Sequence, residues 1–295
     1  MKITLKQLRV FALTAKHGNI SLAAQEIAIS QAAASMSLSQ LESMLNQSLF
    51  RREGKKLIIN NIGKKILPKA NAILESVTNL ELSVSKQNQF SGSLHIGAST
   101  TIANTILPKL LNKFLKKFPD IDIVVTVGNT ESCIKKLLNY QIDIALVEGL
   151  NLTPDVDFEP WLTDQLSVFC HPENLLTQKK TIKPKDLERC PWVLRESTSG
   201  TRQAFEAALL SSPINLEKII IINSSIAIKN FIRENKAALG CLSNNVIEDD
   251  VKNKKLISLK IKSWDLSRNF YHVKHKAKSY SELCQLFMKE IGLNP

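Results

Sequence analysis

The chain has 295 residues, a length typical of two or three domains that each bury their own core, which excludes a small disulfide-stapled protein. Lysine and arginine number 39 against 27 aspartate and glutamate residues, and the formal charge of +12 favours a polyanionic partner such as nucleic acid or a membrane surface. Residues 1–90 carry +7 of this excess (12 − 5) and residues 91–295 carry +5 (27 − 22), so a basic N-terminal region precedes a nearly balanced body.

Hydropathy and cysteine usage narrow the class of protein further. No apolar run approaches the roughly 18 residues needed to cross a bilayer, and the N-terminal residues lack the apolar segment of a secretory signal peptide. The five cysteines are far apart and never form C-x-x-C, which fits neither a disulfide framework nor a zinc knuckle. We therefore expect a cytoplasmic protein that does not contact a membrane and whose cysteines are reduced and mostly buried.

The first 45 residues predict three short helices. Apolar residues recur at helical spacing over residues 5–15 and end at Gly18. Ser21 is expected to cap a second helix and Ser30 a third, and so short a turn between them is typical of a helix-turn-helix unit. One face of the third helix is apolar: Ala34, Leu38, Leu41 and Leu45.

A wing and a long helix follow. Two short apolar stretches bracket a charged segment with a glycine between residues 49 and 59, which predicts a β-hairpin wing. Residues 61–89 predict a linker helix, with a kink or local irregularity at Pro68 because proline lacks an N–H. Two heptad positions of this helix are apolar: Ile66, Ile73 and Leu80, and Ala70, Val77 and Val84. A helix with such a stripe and no other cover predicts self-association as a dimer or tetramer.

From residue 90 onward strands alternate with helices, which predicts an α/β domain with a mainly parallel sheet. Strands are expected near 94–98, 121–127, 142–147, 166–170, 192–195, 219–222, 238–242 and 269–274. Helices are expected near 107–118, 133–138, 202–210, 226–234 and 279–291.

Enzyme motifs are missing from the sequence. It contains no G-x-S-x-G, H-E-x-x-H, G-x-x-x-x-G-K-[ST] or G-x-G-x-x-G, and none of its five histidines has metal-ligand spacing. We therefore expect no catalytic residue, no metal and no cofactor.

The first 60 residues resemble the winged helix-turn-helix domain of LysR-type transcriptional regulators. Residues 30–42, S-Q-A-A-A-S-M-S-L-S-Q-L-E, match the family's third-helix pattern S-Q-x-A-x-S-x-x-I-x-x-L-E with leucine in place of isoleucine. The sequence Leu49-Phe50-Arg51-Arg52 matches the wing. The resemblance covers the whole chain and implies a DNA-binding domain at 1–60, a linker helix at 61–89 and an effector-binding domain at 90–295.

Burial of the apolar face would turn the opposite face of the third helix outward, where it can meet a DNA major groove. The residues of this outward row are Gln31, Ala32, Ser35, Met36 and Ser39. Residues 51–69 carry a balance of +6, which predicts phosphate contacts by Arg51, Arg52 and Lys55. A solvated charge run on a small three-helix core is the alternative, and we favour double-stranded DNA because charge, helix pair and wing coincide.

Residues 90–295 resemble the family's effector domain, which has the two-lobed fold of periplasmic solute-binding proteins. The resemblance implies a first lobe at about 92–162 plus 267–295 and a second at about 163–266. Polar segments follow four strands, where backbone N–H groups and hydroxyls can bind a small anion or carboxylate, although each segment alone could be a helix cap. The candidate effector-binding residues are Ser99, Thr100, Thr101, Asn129, Thr130, Thr198, Thr201 and Ser225.

The run Leu194-Arg195-Glu196 and the hydroxyl-rich segment after it look most like the subgroup of LysR regulators tied to sulfur assimilation, which sense small oxyanions. We expect the ligand to be held without a fixed countercharge in the cleft, with Arg202 on the following helix as support. The sequence thus predicts a DNA-binding transcriptional regulator modulated by a small ligand. The alternatives are a solute-binding or transport protein and an enzyme on the same two-lobed fold.

Overall fold

A computed structural model describes residues 2–53, 56–84, 92–149, 153–211, 214–276 and 280–293. The chain divides into two compact units, one of residues 1–91 with 138–140 and one of residues 92–137 with 141–295. We call the first unit the head domain and the second the effector domain. Lys55, one of the residues predicted to contact DNA, lies outside the described residues.

The head domain contains a helix-turn-helix, a two-stranded antiparallel hairpin and a long helix among its described residues. Their bounds are α1 (Leu5–His17), α2 (Ile20–Glu26), α3 (Gln31–Leu45), β1 (Phe50–Glu53), β2 (Lys56–Ile59) and α4 (Asn61–Val84). The predicted helix-turn-helix, wing and linker helix are therefore present, and residues 85–89 of the predicted linker helix lie outside the described residues.

Short polar side chains begin the head helices. The Ser30 hydroxyl accepts a hydrogen bond from the N–H of Ala33 at 3.2 Å and caps α3, as predicted. The cap predicted at Ser21 is wrong, because Asn19 is the N-cap of α2 and its Oδ1 accepts the N–H of Ser21 at 2.7 Å. Gly18 ends α1 with φ +62°, a left-handed conformation that costs glycine little and that turns the chain directly into Asn19.

The head core covers part of the apolar stripe of α4. Ala70 is 1% exposed and packs in the same cluster as Phe11 and Leu41, whereas Ile73 is 47% exposed and Leu80 is 66% exposed. The expectation that nothing else covers the stripe is thus wrong for its first half, whereas Ile73 and Leu80 are exposed. Helix α4 continues through Pro68.

The effector domain alternates strands and helices. Its strands are β3 (Gly92–Ser99), β4 (Ile121–Gly128), β5 (Ile144–Glu148), β6 (Val156–Cys170), β7 (Pro191–Leu194), β8 (Lys218–Ile221), β9 (Leu239–Ser243), β10 (Ile257–Leu259) and β11 (Ser267–His275). Its α-helices are α5 (Thr100–Thr105), α6 (Leu107–Lys117), α7 (Thr130–Leu138), α8 (Gly200–Ser211), α9 (Ser225–Glu234), α10 (Asn244–Lys252) and α11 (Glu282–Glu290), and two short 3-10 helices span Leu175–Gln178 and Pro184–Leu187. Helices α5 and α10, strand β10 and both 3-10 helices were not predicted.

In the described part of the effector domain these strands form one sheet in the order β4-β3-β5-β11-β6-β9-β7-β8, with β10 paired to β6. Strand β3 pairs in parallel with β4 and β5, and β7 pairs in parallel with β8 and β9. The long strands β6 and β11 run antiparallel to each other and to their other neighbours. The sheet is therefore mixed, and the predicted parallel pairing holds only within its two halves.

Separate hydrophobic cores define two lobes. Lobe I is packed around Ile96, Phe114 and Phe287, and lobe II around Trp192 and Phe205 with a second cluster on its other face. The cores change between residues 161 and 166 on β6 and between residues 266 and 270 on β11. These two strands therefore belong to both lobes.

None of the five cysteines, all of which the structure describes, forms a disulfide, and four of them are buried. Burial raises the pKa of Cys133, Cys170 and Cys241 to about 12. This burial agrees with the prediction that the cysteines are mostly buried. Among the helices of the described residues, none is both long enough and apolar enough to cross a membrane.

Candidate functional site

The face of α3 opposite the head core is open to solvent. Ala34, Leu38 and Leu41 are buried, as the helical periodicity predicts. All five members of the predicted outward row are exposed, namely Gln31, Ala32, Ser35, Met36 and Ser39. This face thus offers amide and hydroxyl groups and the apolar tip of Met36, which is 63% exposed.

The wing adds positive charge beside this helix unit. Arg51 and Arg52 are exposed on β1, and Arg51 lies 3.0 Å from the carboxylate of Glu53. An exposed pair of this kind contributes at most about 1 kcal/mol, so Arg51 can exchange Glu53 for a phosphate at small cost.

Hydrogen bonds fix the wing relative to the helices. The Glu42 carboxylate on α3 accepts the N–H of Leu49 at 2.6 Å, and the N–H of Leu57 on β2 donates to the carbonyl of Gly18 at 2.9 Å. The wing and α3 are therefore held as one surface.

In the effector domain, the predicted effector-binding residues lie where strands end and helices begin. Ser99, Thr100 and Thr101 join β3 to α5, and Asn129 and Thr130 join β4 to α7. In lobe II, Thr198 precedes α8, Thr201 is its second residue, and Ser225 begins α9. Thr100, Asn129 and Thr198 are half-buried and the other five are buried.

The two lobes meet at these junctions. The side-chain amide of Asn129 in lobe I donates a hydrogen bond of 2.9 Å to the hydroxyl of Thr198 in lobe II. The Thr100 hydroxyl donates to the carbonyl of Gly128 at 3.3 Å, and the Ser99 hydroxyl is buried without a hydrogen-bond partner among the described residues. The structure therefore brings together the junctions at Ser99–Thr100, Asn129 and Thr198.

Other predicted residues use their hydroxyls inside the protein. Thr130 donates to the main-chain carbonyl of Glu148 at 2.5 Å. The Thr201 hydroxyl donates to the Glu148 carboxylate at 3.3 Å and accepts from Arg268 at 3.1 Å. These two residues hold the C-terminal end of β5 in place.

Buried charged side chains lie beside this site, and the sequence analysis did not predict them. The Arg268 guanidinium, on β11, lies 2.9 Å from the Glu148 carboxylate and 2.7 Å from the Asp164 carboxylate. Asp164 also accepts from Ser243 at 2.7 Å and Asn245 at 3.0 Å. Thr201 thus contacts a buried cation directly, and that cation is itself paired with the Glu148 and Asp164 carboxylates.

A second buried arginine contacts Ser225. Arg195 is 2% exposed, donates to the Ser225 hydroxyl at 3.0 Å and makes a two-pronged pair with Glu196 at 2.8 and 2.9 Å. Burial opposes ionisation of Glu196, but the hydrogen bonds from Arg195 outweigh it and hold the pKa of Glu196 below its usual range. Glu196 thus stays ionised and neutralises Arg195. Arg202 lies on α8 and donates to Glu206 at 2.6 Å, as expected for a residue that supports the helix.

The only signal for these charges in the sequence is a polar residue at a buried strand position. Glu148 ends an otherwise apolar run and Arg195 follows another, while Asp164 and Arg268 lie in segments of mixed polarity. Local patterns do not indicate that Arg268 and Asp164, 104 residues apart, are partners.

Comparison with known proteins identifies both units. Residues 5–64 match the bacterial regulatory helix-turn-helix protein of the lysR family, and residues 87–292 match the LysR substrate binding domain. The chain is 34% identical over 288 residues to the HTH-type transcriptional regulator YeiE of Escherichia coli, itself uncharacterized, and the alignment covers 98% of this chain and 97% of YeiE.

Solved structures share the fold. A full-length OxyR variant from Pseudomonas aeruginosa is 18% identical, has a TM-score of 0.79 and is similar over 100% of this chain and 96% of OxyR. CbnR in complex with its target DNA is 19% identical, with a TM-score of 0.64 over 98% of each chain. The Synechocystis CcmR regulatory domain in complex with 2-PG is 24% identical, with a TM-score of 0.63, over 68% of this chain and 96% of that domain.

Proposed function

The chain belongs to the LysR family of transcriptional regulators, and we propose that it binds double-stranded DNA through α3 and the wing. We further propose that a small anion or carboxylate, bound between the two lobes, modulates this DNA binding. Its relatives are named as transcriptional regulators, so the protein is a regulator rather than an enzyme. We further propose that the protein acts in the cytoplasm, because a DNA-binding regulator must be in the compartment that contains its target DNA.

One observation carries the proposal for the effector site: the hydrogen bond of 2.9 Å between Asn129 and Thr198, which joins two predicted binding segments across the lobes. Thr100 directly follows β3 and Asn129 directly follows β4, its parallel neighbour. The hydroxyl of Ser99, the last residue of β3, has no hydrogen-bond partner among the described residues. A bound anion needs several converging donors to offset its lost hydration, and these groups supply them. Ser99, Thr101, Thr130, Thr201 and Ser225 are buried, and the last four would position the half-buried Thr100, Asn129 and Thr198.

The nature of the ligand is inferred from this chemistry. The cleft residues are hydroxyl and amide donors, and Arg195 lies behind them as a buried cation whose charge Glu196 balances. The ligand 2-PG in the CcmR structure gives support by analogy, because that regulatory domain has the same fold.

The effector proposal is tested by ligand screening on the full chain. Sulfate, sulfite, thiosulfate and small carboxylates are screened by thermal shift, and each binder is titrated by calorimetry. Thr100→Val and Thr198→Val keep the side-chain shape and remove the hydroxyl, so each should weaken binding by about 1 to 3 kcal/mol. Thr126→Val, at a half-buried position within β4, is the matched control. Wild-type affinity in both cleft variants would place the effector elsewhere.

DNA recognition is supported by the coincidence of an exposed polar face on α3 with an exposed basic wing held against it. A cognate site is first enriched from randomised duplexes with the wild-type protein. Gln31→Ala or Ser35→Ala should weaken cognate binding by about 1 to 3 kcal/mol and leave binding to random DNA nearly unchanged, because base-edge contacts carry sequence information.

The wing residues provide the contrasting result. Arg51→Ala or Arg52→Ala should weaken binding to all sequences alike and reduce the salt dependence by about one unit for each lost phosphate contact. Lys255→Ala, which removes an exposed cation of the effector domain, is the control for net charge. Equal losses on cognate and random DNA for the Gln31 variant would show that α3 does not read bases.

A homo-oligomer is the third part of the proposal. The second half of α4 exposes Ile73 and Leu80 on the same heptad position, with Val77 half-buried between them. We propose that this surface, called here the α4 seam (Ile73, Val77 and Leu80), pairs with the same surface of another chain.

A further inference from the structure

Lobe II contains a groove that is separate from every residue assigned above to the effector site. Its volume is about 850 Å³, and it lies between α10, β10 and the segment after β10. Ligand pockets in proteins usually have volumes of roughly 300 to 1,000 Å³, so the groove is large enough for a drug-sized molecule.

The floor of the groove is apolar and recessed. Leu259, Ile261, Trp264 and Leu266 line it, and each is 6% or 7% exposed. The indole N–H of Trp264 is buried without a hydrogen-bond acceptor among the described residues, which is uncommon for tryptophan. The floor therefore offers an aromatic and aliphatic surface to a molecule small enough to enter.

The rim of the groove is positively charged. Lys252 is neutralised by Glu248 at 2.5 Å, whereas Lys260 and Lys262 have no ion-pair partner in the part of the chain that the structure describes. Three lysines against one glutamate leave a balance of 3 − 1 = +2 on the rim. A ligand that fits both features has an apolar body and an anionic group.

From these observations we propose that this groove, the lobe II groove, is a second ligand site, which binds a small amphipathic carboxylate or sulfonate with its apolar body on Trp264 and its anionic group beside Lys260 and Lys262. A flat lipid surface cannot reach a floor that lies below the rim. A second copy of the chain would bring two rims of like charge together, which is unfavourable.

The groove also contacts the buried network. Asn245 lines it, and the same side chain donates to Asp164, which binds Arg268. The proposed site is thus distinct from the effector cleft, and the side chain of Asn245 connects it to the buried charges that hold Thr201.

The test uses the full chain and the probe 1-anilinonaphthalene-8-sulfonate, whose fluorescence rises on binding. We expect saturable binding that decanoate displaces and that decyltrimethylammonium at the same concentration does not. The double variant Lys260→Gln/Lys262→Gln should raise the dissociation constant of the probe by about tenfold. The matched control Lys254→Gln/Lys255→Gln removes two exposed charges outside the groove and should stay within about twofold of wild type.

Two further measurements decide the location and the occupant. Trp264→Phe keeps the floor apolar and should lower energy transfer from tryptophan to the bound probe.

The proposal is overturned if Lys260→Gln/Lys262→Gln and the control variant bind the probe equally well. It is also overturned if decyltrimethylammonium displaces the probe as well as decanoate does. A changed sedimentation coefficient of the unliganded Lys260→Gln/Lys262→Gln variant would instead identify an interface between chains. The DNA affinity of the Lys260→Gln/Lys262→Gln variant should equal that of wild type. This measurement distinguishes a failure of the groove proposal from a failure of the proposed DNA-binding function.

Discussion

A single backbone contact decides which residue can begin α8. A Cβ atom placed on Gly200 would lie 2.1 Å from the carbonyl oxygen of Glu148 and 2.6 Å from its carbonyl carbon. Both are main-chain atoms at the end of β5, and they are further held by Thr130. Glycine at this position therefore allows the close approach of lobe II to lobe I.

Gly200→Ala is expected to lower the free energy of unfolding of the effector domain by about 1 to 3 kcal/mol or more, because backbone atoms must move. Gly97→Ala is the comparison, since its Cβ would meet the flexible end of Ile142 at 2.3 Å. Chemical denaturation measures both. A loss for Gly97→Ala as large as that for Gly200→Ala would contradict the argument from backbone rigidity.

The buried charges show the limit of prediction for single residues. The outward row of α3 follows from helical periodicity, because burial of Ala34 and Leu38 determines where the neighbours point. The roles of Arg195 and Arg268 do not follow from any local pattern. Their partners belong to other elements, apart from Glu196, so only packing reveals them.

Among the elements, α4 combines two environments in one helix. Its first half contributes Ala70 to the head core, and its second half leaves Ile73 and Leu80 exposed. The heptad pattern is the same in both halves, so the sequence does not show that the head covers the first one.

Charged residues in the α4 seam should dissociate the oligomer. Ile73→Glu with Val77→Glu would place like charges opposite each other in an apolar interface, which is costly to desolvate. Sedimentation velocity at micromolar concentration measures the change, with Thr78→Glu, exposed on the same helix, as control. A wild-type protein that sediments as a monomer would refute pairing through the α4 seam. An unchanged sedimentation coefficient of the double variant would refute it as well.

Strand β6 is ten residues longer than predicted for a reason visible in its sequence. The prediction covers only 166–170, whereas the strand begins at Val156 and contains Pro160. Pairing with β11 shifts register between Phe270 and Tyr271, whose partners are Leu162 and Pro160. A bulge of this kind accommodates a proline in a strand, and this irregularity conceals the strand from a search for regular alternation.

The molecule as a whole is built from two units with their own cores. The head core includes Phe11 and Leu41, and the lobe cores are formed by residues from Leu94 onward. Because each unit has its own hydrophobic core, we expect each to fold without the other.

Residues 92–295 produced alone should unfold cooperatively on heating, because both lobe cores are complete in this fragment. The fragment should retain the affinity of the full chain for any effector found by screening, within about twofold, and should not bind DNA. Circular dichroism and calorimetry measure the first two properties and a gel-shift assay the third. DNA binding by the fragment at the affinity of the full chain would contradict the assignment of recognition to the head.

Features that depend on neighbours along the chain could be predicted from the residues alone. These features are the helix-turn-helix, the wing, the alternation of strands and helices, the exposed row from Gln31 to Ser39 and the four polar junctions. They can be predicted from the sequence because periodicity and capping depend on residues that are close along the chain. Other features became visible only in the folded chain: the mixed sheet, the cover over Ala70, the contact between Asn129 and Thr198, the buried network around Arg268 and the groove under Lys260. Each of these brings together residues that are distant along the chain, and their pairing is set by packing within each unit, which no local pattern encodes.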